Sequence, residues 1–285
     1  MKIAFVGAGK VGRVFGWYLK SKGLNVLGYN SRRLESAKQA ALETDSRVLS
    51  LEEVVASGEI IFITTSDKSI GEVCNQIAKD YRFKRGQTVV HMSGGLGSDI
   101  LSSAKEQGAN IFSLHPMQSF ASIEKGKEEI KNTFFTFEGD GEEKIIIQLL
   151  EKIGNPYTKI NSSSKSLYHT AACISSNYLV TLTNIAKEIL KKIGFDDKDA
   201  LKVLLPLMKG TLENIEKLGI EQALTGPIVR GDYNTVQNHL QNLEGLGDIG
   251  KIYILLGKET VKLAQKRNLA GEQIESLNRL FEGWE

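Results

Sequence analysis

The tightest constraint on this chain lies at its start. The apolar run Ile3-Ala4-Phe5-Val6 meets Gly7-Ala8-Gly9-Lys10-Val11-Gly12 and passes directly into a helical pattern over Val11–Lys22. In that G-x-G-x-x-G spacing the first glycine permits a tight turn, and the second lets backbone approach a pyrophosphate. The third lets helix and strand pack closely. Amides at the helix N-terminus then hold the phosphates. A glycine turn that only closes a strand–helix corner is the bland alternative. The continuing alternation of strand and helix favours a dinucleotide cradle formed by Gly7, Ala8, Gly9, Lys10, Val11 and Gly12.

Strand-like runs recur at Lys2–Val6, Asn25–Tyr29, Ile60–Thr64, Thr88–Met92 and Asn110–Leu114. Helical patterns over Val11–Lys22, Arg32–Ala41, Ile70–Lys79 and Ser98–Gln107 separate them. Near-continuous apolar strands alternating with helices predict an α/β fold, a doubly wound parallel sheet covered on both faces. Asn132–Glu138 and Tyr157–Ile160 read as further strands around a helix at Glu142–Ile153. After the polar break Asn161-Ser162-Ser163-Ser164 the strand-like runs stop. Helical patterns follow at Lys165–Ile193, Asp197–Leu218, Asn234–Leu243, Asp248–Arg267 and Gly271–Phe281. The sequence therefore predicts an α/β domain over residues 1–160 and an all-α domain over 161–285.

Charge and cysteine content narrow the function. Lys+Arg 36 against Asp+Glu 34 gives a net charge of +2, which leaves no positive excess to argue for nucleic acid or an anionic membrane. Cys74 and Cys173 form no CxxC pair, and His91, His115, His169 and His239 lack metal-ligand spacing, so no metal is expected. No apolar run approaches the roughly 20 residues that span a bilayer. The opening strand is no signal peptide, so a cytoplasmic protein acting on a small molecule is expected.

Ligands of open α/β sheets sit beyond the carboxyl ends of the strands. The second strand ends in Asn30-Ser31-Arg32-Arg33, with no acid to accept from an adenosine ribose. Asn30 and Ser31 can donate to phosphate oxygens and the arginines supply charge, so NADP(H) is expected rather than NAD. Thr65 and Ser66 either line the cofactor edge or cap the following helix. His91 reads as structural. His115 follows an apolar strand and precedes Pro116. It reads either as a structural imidazole or as the hydrogen-bond donor that a reduced carbonyl oxygen needs. On the first helix of the second domain, Lys165, His169, Ala172 and Ser176 share a face, flanked by Cys173 and Asn177. This polar stripe suits a substrate carboxylate or carbonyl, whereas Lys165 taken alone reads as a solvated helix start. In the loop Leu224–Asp232, Thr225, Arg230 and Asp232 form either an anion-binding set or a capped turn.

Taken together, Gly7–Gly12, Asn30–Arg32, His91–Gly94, Leu114–Phe120, Lys165–Asn177 and Leu224–Asp232 resemble a family that joins a Rossmann-like domain to a C-terminal helical domain of unassigned function. That family is related to pyrroline-5-carboxylate reductase, ketopantoate reductase and the 6-phosphogluconate/3-hydroxyacid dehydrogenases. The resemblance implies NADP binding by the first domain and a homodimer through the second. His115-Pro116-Met117 is similar to the His-Pro segment of prephenate dehydrogenases, whose histidine contacts the reacting hydroxyl. Ser93 stands where those enzymes carry an active-site serine. Two departures are visible: Gln118-Ser119 replace a glycine of that segment, and His169 stands where 3-hydroxyacid dehydrogenases carry an asparagine after the catalytic lysine. The expectation is an NADPH-dependent reductase of a small carboxylate-bearing carbonyl compound, ketopantoate foremost. His115, Lys165 and Ser93 would be catalytic, and His169, Asn177, Thr225 and Arg230 would bind substrate. An imine reductase, a prephenate-dehydrogenase-like hydroxyacid dehydrogenase and a non-catalytic NADP-binding sensor are the rivals.

Overall fold

The structure is a computed structural model that describes residues 1–267 and 269–284. It divides into two compact units, Met1–Asn177 and Tyr178–Glu285.

The first unit is built on eight strands: β1 (Lys2–Val6), β2 (Asn25–Asn30), β3 (Arg47–Val48), β4 (Ile60–Ile63), β5 (Thr88–His91), β6 (Asn110–Pro116), β7 (Phe135–Asp140) and β8 (Tyr157–Lys159). They form one sheet in the order β3-β2-β1-β4-β5-β6-β7-β8. All pairs are parallel except β6 with β7, which run antiparallel. Residues alternate between the two faces of each strand. Ile3, Phe5, Ile60 and Phe62 accordingly join one apolar cluster, while Ala4, Val6, Ile61 and Ile63 join another on the opposite face. Helices cover both faces: α1 (Lys10–Ser21), α2 (Leu34–Thr44), α3 (Leu51–Ser57), α4 (Asp67–Asp80), α5 (Ser102–Lys105), α6 (Ile123–Glu129) and α7 (Lys144–Ile153). The α/β expectation holds, with the last two strands, β7 and β8, running opposite to the other six.

Three short elements escape the periodicity. The two residues of β3 are too few to show a pattern, and α3 and α6 have seven residues each. A local signal for α3 was nonetheless present. Ser50 accepts from the Glu53 amide while the Glu53 carboxylate accepts from the Ser50 amide, a reciprocal capping box.

The unit boundary falls 17 residues beyond the change in sequence texture at 160/161, because α8 (Lys165–Ser175) belongs with the sheet. Its Lys165 and Tyr168 side chains hydrogen-bond Ser113 and His115 of β6. The single helix expected over Lys165–Ile193 is interrupted at Ser176, after which α9 (Asn177–Lys192) begins.

The second unit contains no strand among the described residues. It carries α10 (Asp197–Ala223), α11 (Tyr233–Leu243), α12 (Asp248–Gln265) and α13 (Gly271–Glu282). A core of Val236, Leu240, Ile254, Val261, Leu277 and Phe281 joins the last three. Helical geometry in α10 breaks at Gly219, at φ +78°, where the sequence pattern also ends. Among the described residues no helix is long and apolar enough to cross a membrane.

Candidate active site

The strand order reverses between β1 and β4, which opens a crevice beyond their carboxyl ends. A cavity of about 650 Å³ lies there, lined by Gly7, Gly9, Asn30, Ser31, Arg32 and Thr65 among others. A second, of about 320 Å³, shares Gly9, Thr65 and Ser66 and extends past Lys10 and Val11 to Ser93. The glycines play distinct parts. Gly7 has φ +114°, and a Cβ on it would lie 2.6 Å from the Thr64 carbonyl carbon. A Cβ on Gly12 would strike the Thr64 hydroxyl, which itself donates to the Gly7 carbonyl at 2.8 Å. Gly9 alone faces open space, since its Cβ would come no closer than 4.0 Å to protein. The Thr65 hydroxyl is buried beside it without a hydrogen-bond partner. An open backbone cradle with an orphaned donor fits a dinucleotide phosphate.

The expected phosphate ligands divide. Arg32 and Arg33 are exposed, and the Ser31 hydroxyl accepts from the Arg33 amide at 3.3 Å. The Asn30 amide group instead donates to the Leu49 carbonyl at 2.9 Å, which ties down the end of β2. The Lys10 ammonium donates to the Ala121 carbonyl at 2.6 Å, so its side chain is engaged outside the cradle. Ser66 occupies the N-cap position of α4 without a capping bond and pairs with the Ser69 hydroxyl at 3.1 Å. The Ser93 hydroxyl donates to Asp67 at 2.8 Å and accepts from the Gly95 and Leu96 amides.

A separate cavity of about 430 Å³ opens around His115, lined also by Gln118, Ser119, His169, Ser176 and Asn177. His115 stands near the end of β6, which runs on to Pro116. Its Nδ1 lies 2.8 Å from the Tyr168 hydroxyl, and the two rings meet at 87°. Its Nε2 and the Nδ1 of His169 close on Gly94, where a Cβ would lie 2.7 Å from each. The absence of a side chain there lets both imidazoles approach one point. His169 Nδ1 is buried and unpartnered, while its Nε2 lies 3.7 Å from Cys173 Sγ. Burial, reinforced by Lys165, His169 and His91, pushes the His115 imidazole down to about 3. His115 is therefore neutral near pH 7 and can donate only as an uncharged N–H.

Lys165 does not line that cavity. It is 2% exposed, and its ammonium donates to Ser113 Oγ at 2.6 Å. The Ser113 hydroxyl in turn donates to the Ser93 carbonyl at 3.3 Å. Desolvation lowers Lys165 to about 8, while Glu138 and Asp67 favour its charged form. Glu138 lies opposite Ser113 in the β6–β7 ladder and accepts from the Ser98 amide and from the Ser98 and Ser162 hydroxyls. His91 is fully buried: Nδ1 accepts from the Ser93 amide and Nε2 meets the Gly97 carbonyl at 3.0 Å.

The first unit thus brings His115, His169 and Asn177 to one cavity and Ser93 to the glycine cleft. Thr225 and Arg230 are exposed on a loop of the second unit. Asp232 beside them caps α11, accepting from the Thr235 amide and hydroxyl. Tyr168, Gly94, Ser113 and Glu138 were not singled out in the sequence. For Ser113 a signal existed, because it lies two residues before His115 on one strand face. Glu138 needed the antiparallel register, which no local pattern reports.

A Rossmann-like domain family matches residues 1–116, and a domain of unknown function, DUF2520, matches residues 133–260. No curated protein matches the chain at a significant level. Among solved structures, protein TM1727 from Thermotoga maritima is 30% identical over 94% of this chain and 100% of its own, with a TM-score of 0.76. A candidate NADP oxidoreductase from Bacteroides fragilis, BF3122, is 23% identical over 92% of this chain and 98% of its own, with a TM-score of 0.71. A reductive aminase from Aspergillus terreus, solved with NADPH and ethyl-5-oxohexanoate, shares the fold at 15% identity and a TM-score of 0.61, over 99% of this chain and 92% of its own. This chain belongs to the family in which a Rossmann-like domain is followed by the DUF2520 domain.

Proposed function

We propose that the protein is an NADPH-dependent oxidoreductase that reduces a small carboxylate-bearing carbonyl compound, with ketopantoate (2-dehydropantoate) the first substrate to test. The observation that carries this reading is the pairing of two features at the carboxyl ends of one sheet. One is the glycine cradle left open at Gly9, and the other is the cavity around His115. The similarity to NADP-associated reductases supports it.

In this reading the amides following Gly9 hold the pyrophosphate, and Thr65 supplies its unpartnered hydroxyl. Arg32 and Arg33 take the 2′-phosphate of the adenosine ribose. When bound, the dinucleotide supplies a hydride. His115 presents an N–H to the substrate oxygen, where negative charge develops. His169 and Asn177 orient the substrate from α8 and the start of α9. Lys165, held by Ser113, contributes a buried positive charge behind the imidazole, and Ser93 fixes the turn between β5 and the cleft.

The test is oxidation of NADPH against a panel of 2-oxo acids, with NADH as control. Turnover on ketopantoate with NADPH preferred supports the reading. Binding of NADPH with no turnover on any 2-oxo acid or imine moves it to a cofactor-binding sensor.

One observation favours reduction of a cyclic imine as the second reading. A neutral His115 holds no imidazolium proton to give, and a protonated imine needs none. His115→Ala separates the two: carbonyl reduction falls sharply, whereas imine reduction stays near the wild-type rate.

We also propose a cytoplasmic homodimer joined through the helical unit. α9 buries none of its residues and α10 buries only Ala200 and Ala223. Val180, Leu207, Leu212, Leu218 and Ile220 stand more than half exposed along them, an apolar surface that a second copy would cover. Light scattering at twice the chain mass is the expected result.

A further inference from the structure

Reduction of a carbonyl adds one hydride and one proton, and the source of the proton is a separate question from the source of the hydride. The group nearest the proposed substrate oxygen is His115 Nε2, and the other nitrogen of the same ring is committed to the Tyr168 hydroxyl at 2.8 Å. If the phenol donates to Nδ1, the neutral ring carries its hydrogen on Nε2 and presents it to the cavity. The reverse assignment would leave Nε2 a bare lone pair with no proton to give the substrate. A relay therefore takes the assignment in which Tyr168 donates to Nδ1.

We infer that Tyr168 is the proton source of the reaction and that the His115 imidazole relays its proton to the substrate. The inference rests on the proposed reduction of a carbonyl. In the step, the carbonyl carbon accepts hydride from a reduced nicotinamide, which is oxidised. The carbonyl oxygen forms an O–H bond with the proton leaving His115 Nε2. Nδ1 takes the phenolic proton as the Tyr168 O–H bond breaks. The ring ends neutral with its hydrogen on Nδ1, and solvent then reprotonates the half-buried phenolate as the ring returns to its starting tautomer.

The surroundings favour this route. Burial and the positive charge of Lys165 both disfavour an imidazolium at His115, so a donor that needs a charged ring would be scarce near pH 7. The Lys165 ammonium lies 5.8 Å from the centre of the Tyr168 ring, and burial raises the phenol above its ordinary value, so the proton stays on the phenol until the ring takes it. The charged and titratable groups facing His115 are Lys165, Tyr168 and His169 of α8 and His91 of β5. Glu138 of β7 and Asp67 of α4 act on it through Lys165.

Two measurements decide the matter. Nitrogen-15 spectra of histidine-labelled protein should show His115 neutral and protonated on Nε2 from pH 5 to 8; a hydrogen on Nδ1 overturns the relay whether or not any substrate is known. Against whichever 2-oxo acid the wild type reduces, Tyr168→Phe should lower kcat by about 100-fold with KM little changed. Its residual rate should fall as pH rises through the imidazole range, because only an imidazolium can then donate, whereas the wild-type rate stays flat there. Tyr168→Phe with wild-type kcat and a flat profile overturns the relay while the reductase reading stands. A wild type that reduces imines and no carbonyl overturns both.

Discussion

The two cavities of the sheet unit are built from different materials. The glycine cleft is backbone: its shape comes from three residues without side chains and from the turn they allow. The His115 cavity is side chains, drawn from the end of β6 and from α8, with a hydrogen-bond set behind it that reaches β5 and β7. The first kind of site depends on what a residue lacks and tolerates almost no addition. The second depends on pairs of groups far apart in the chain, and each can be altered with the fold left intact.

That contrast sets the size of the expected effects. The largest belongs to Gly7→Ala. Both its φ of +114° and the approach of a Cβ to the Thr64 backbone oppose any side chain. Loss of the cooperative thermal transition of the sheet unit, followed by calorimetry, is expected; a normal transition would show that the turn can rearrange. Next is acid stability. His91 is held near 4 by burial against an ordinary value of 6.5, so the unfolded chain takes up its proton first as pH falls. Its contribution is therefore fully present above pH 6.5 and is lost between pH 6.5 and 4, by about 3 kcal/mol. Urea midpoints measured across that window should drop, and His91→Gln should flatten part of the slope.

His115→Ala should lower kcat for carbonyl reduction by about 100-fold without changing the affinity for NADPH; equal loss of both would mean that the two cavities are not separable. The smallest effect is the one that most sharpens the comparison. Arg32→Ala should weaken NADPH binding by about 10-fold and leave NADH binding unchanged, as read by fluorescence titration.

How much of this could be read beforehand follows the same division. The cradle at Gly7–Gly12, the strands around it and the exposed arginines after β2 were legible because strand, turn and helix are neighbours in sequence. His115 was legible as a polar residue at a strand end, and His169 and Asn177 as part of a helical face. Asn30 and Lys10 were placed at the right end of the sheet, but their side chains are occupied by the Leu49 and Ala121 carbonyls. Lys165 read alone as a solvated helix start, but it is buried and donates to Ser113.

By itself the sequence determined the alternation of strands and helices, the turn that only glycine can make and the shift to helices in the second half. These follow from local sterics and from the period of the apolar residues. Only the tertiary structure decided which titratable groups meet. Tyr168 lies 53 residues from His115, and Glu138 faces Ser113 through an antiparallel register. Burial, which sets the charge of His115 and Lys165, is a property of everything packed around them, and no stretch of chain carries it alone.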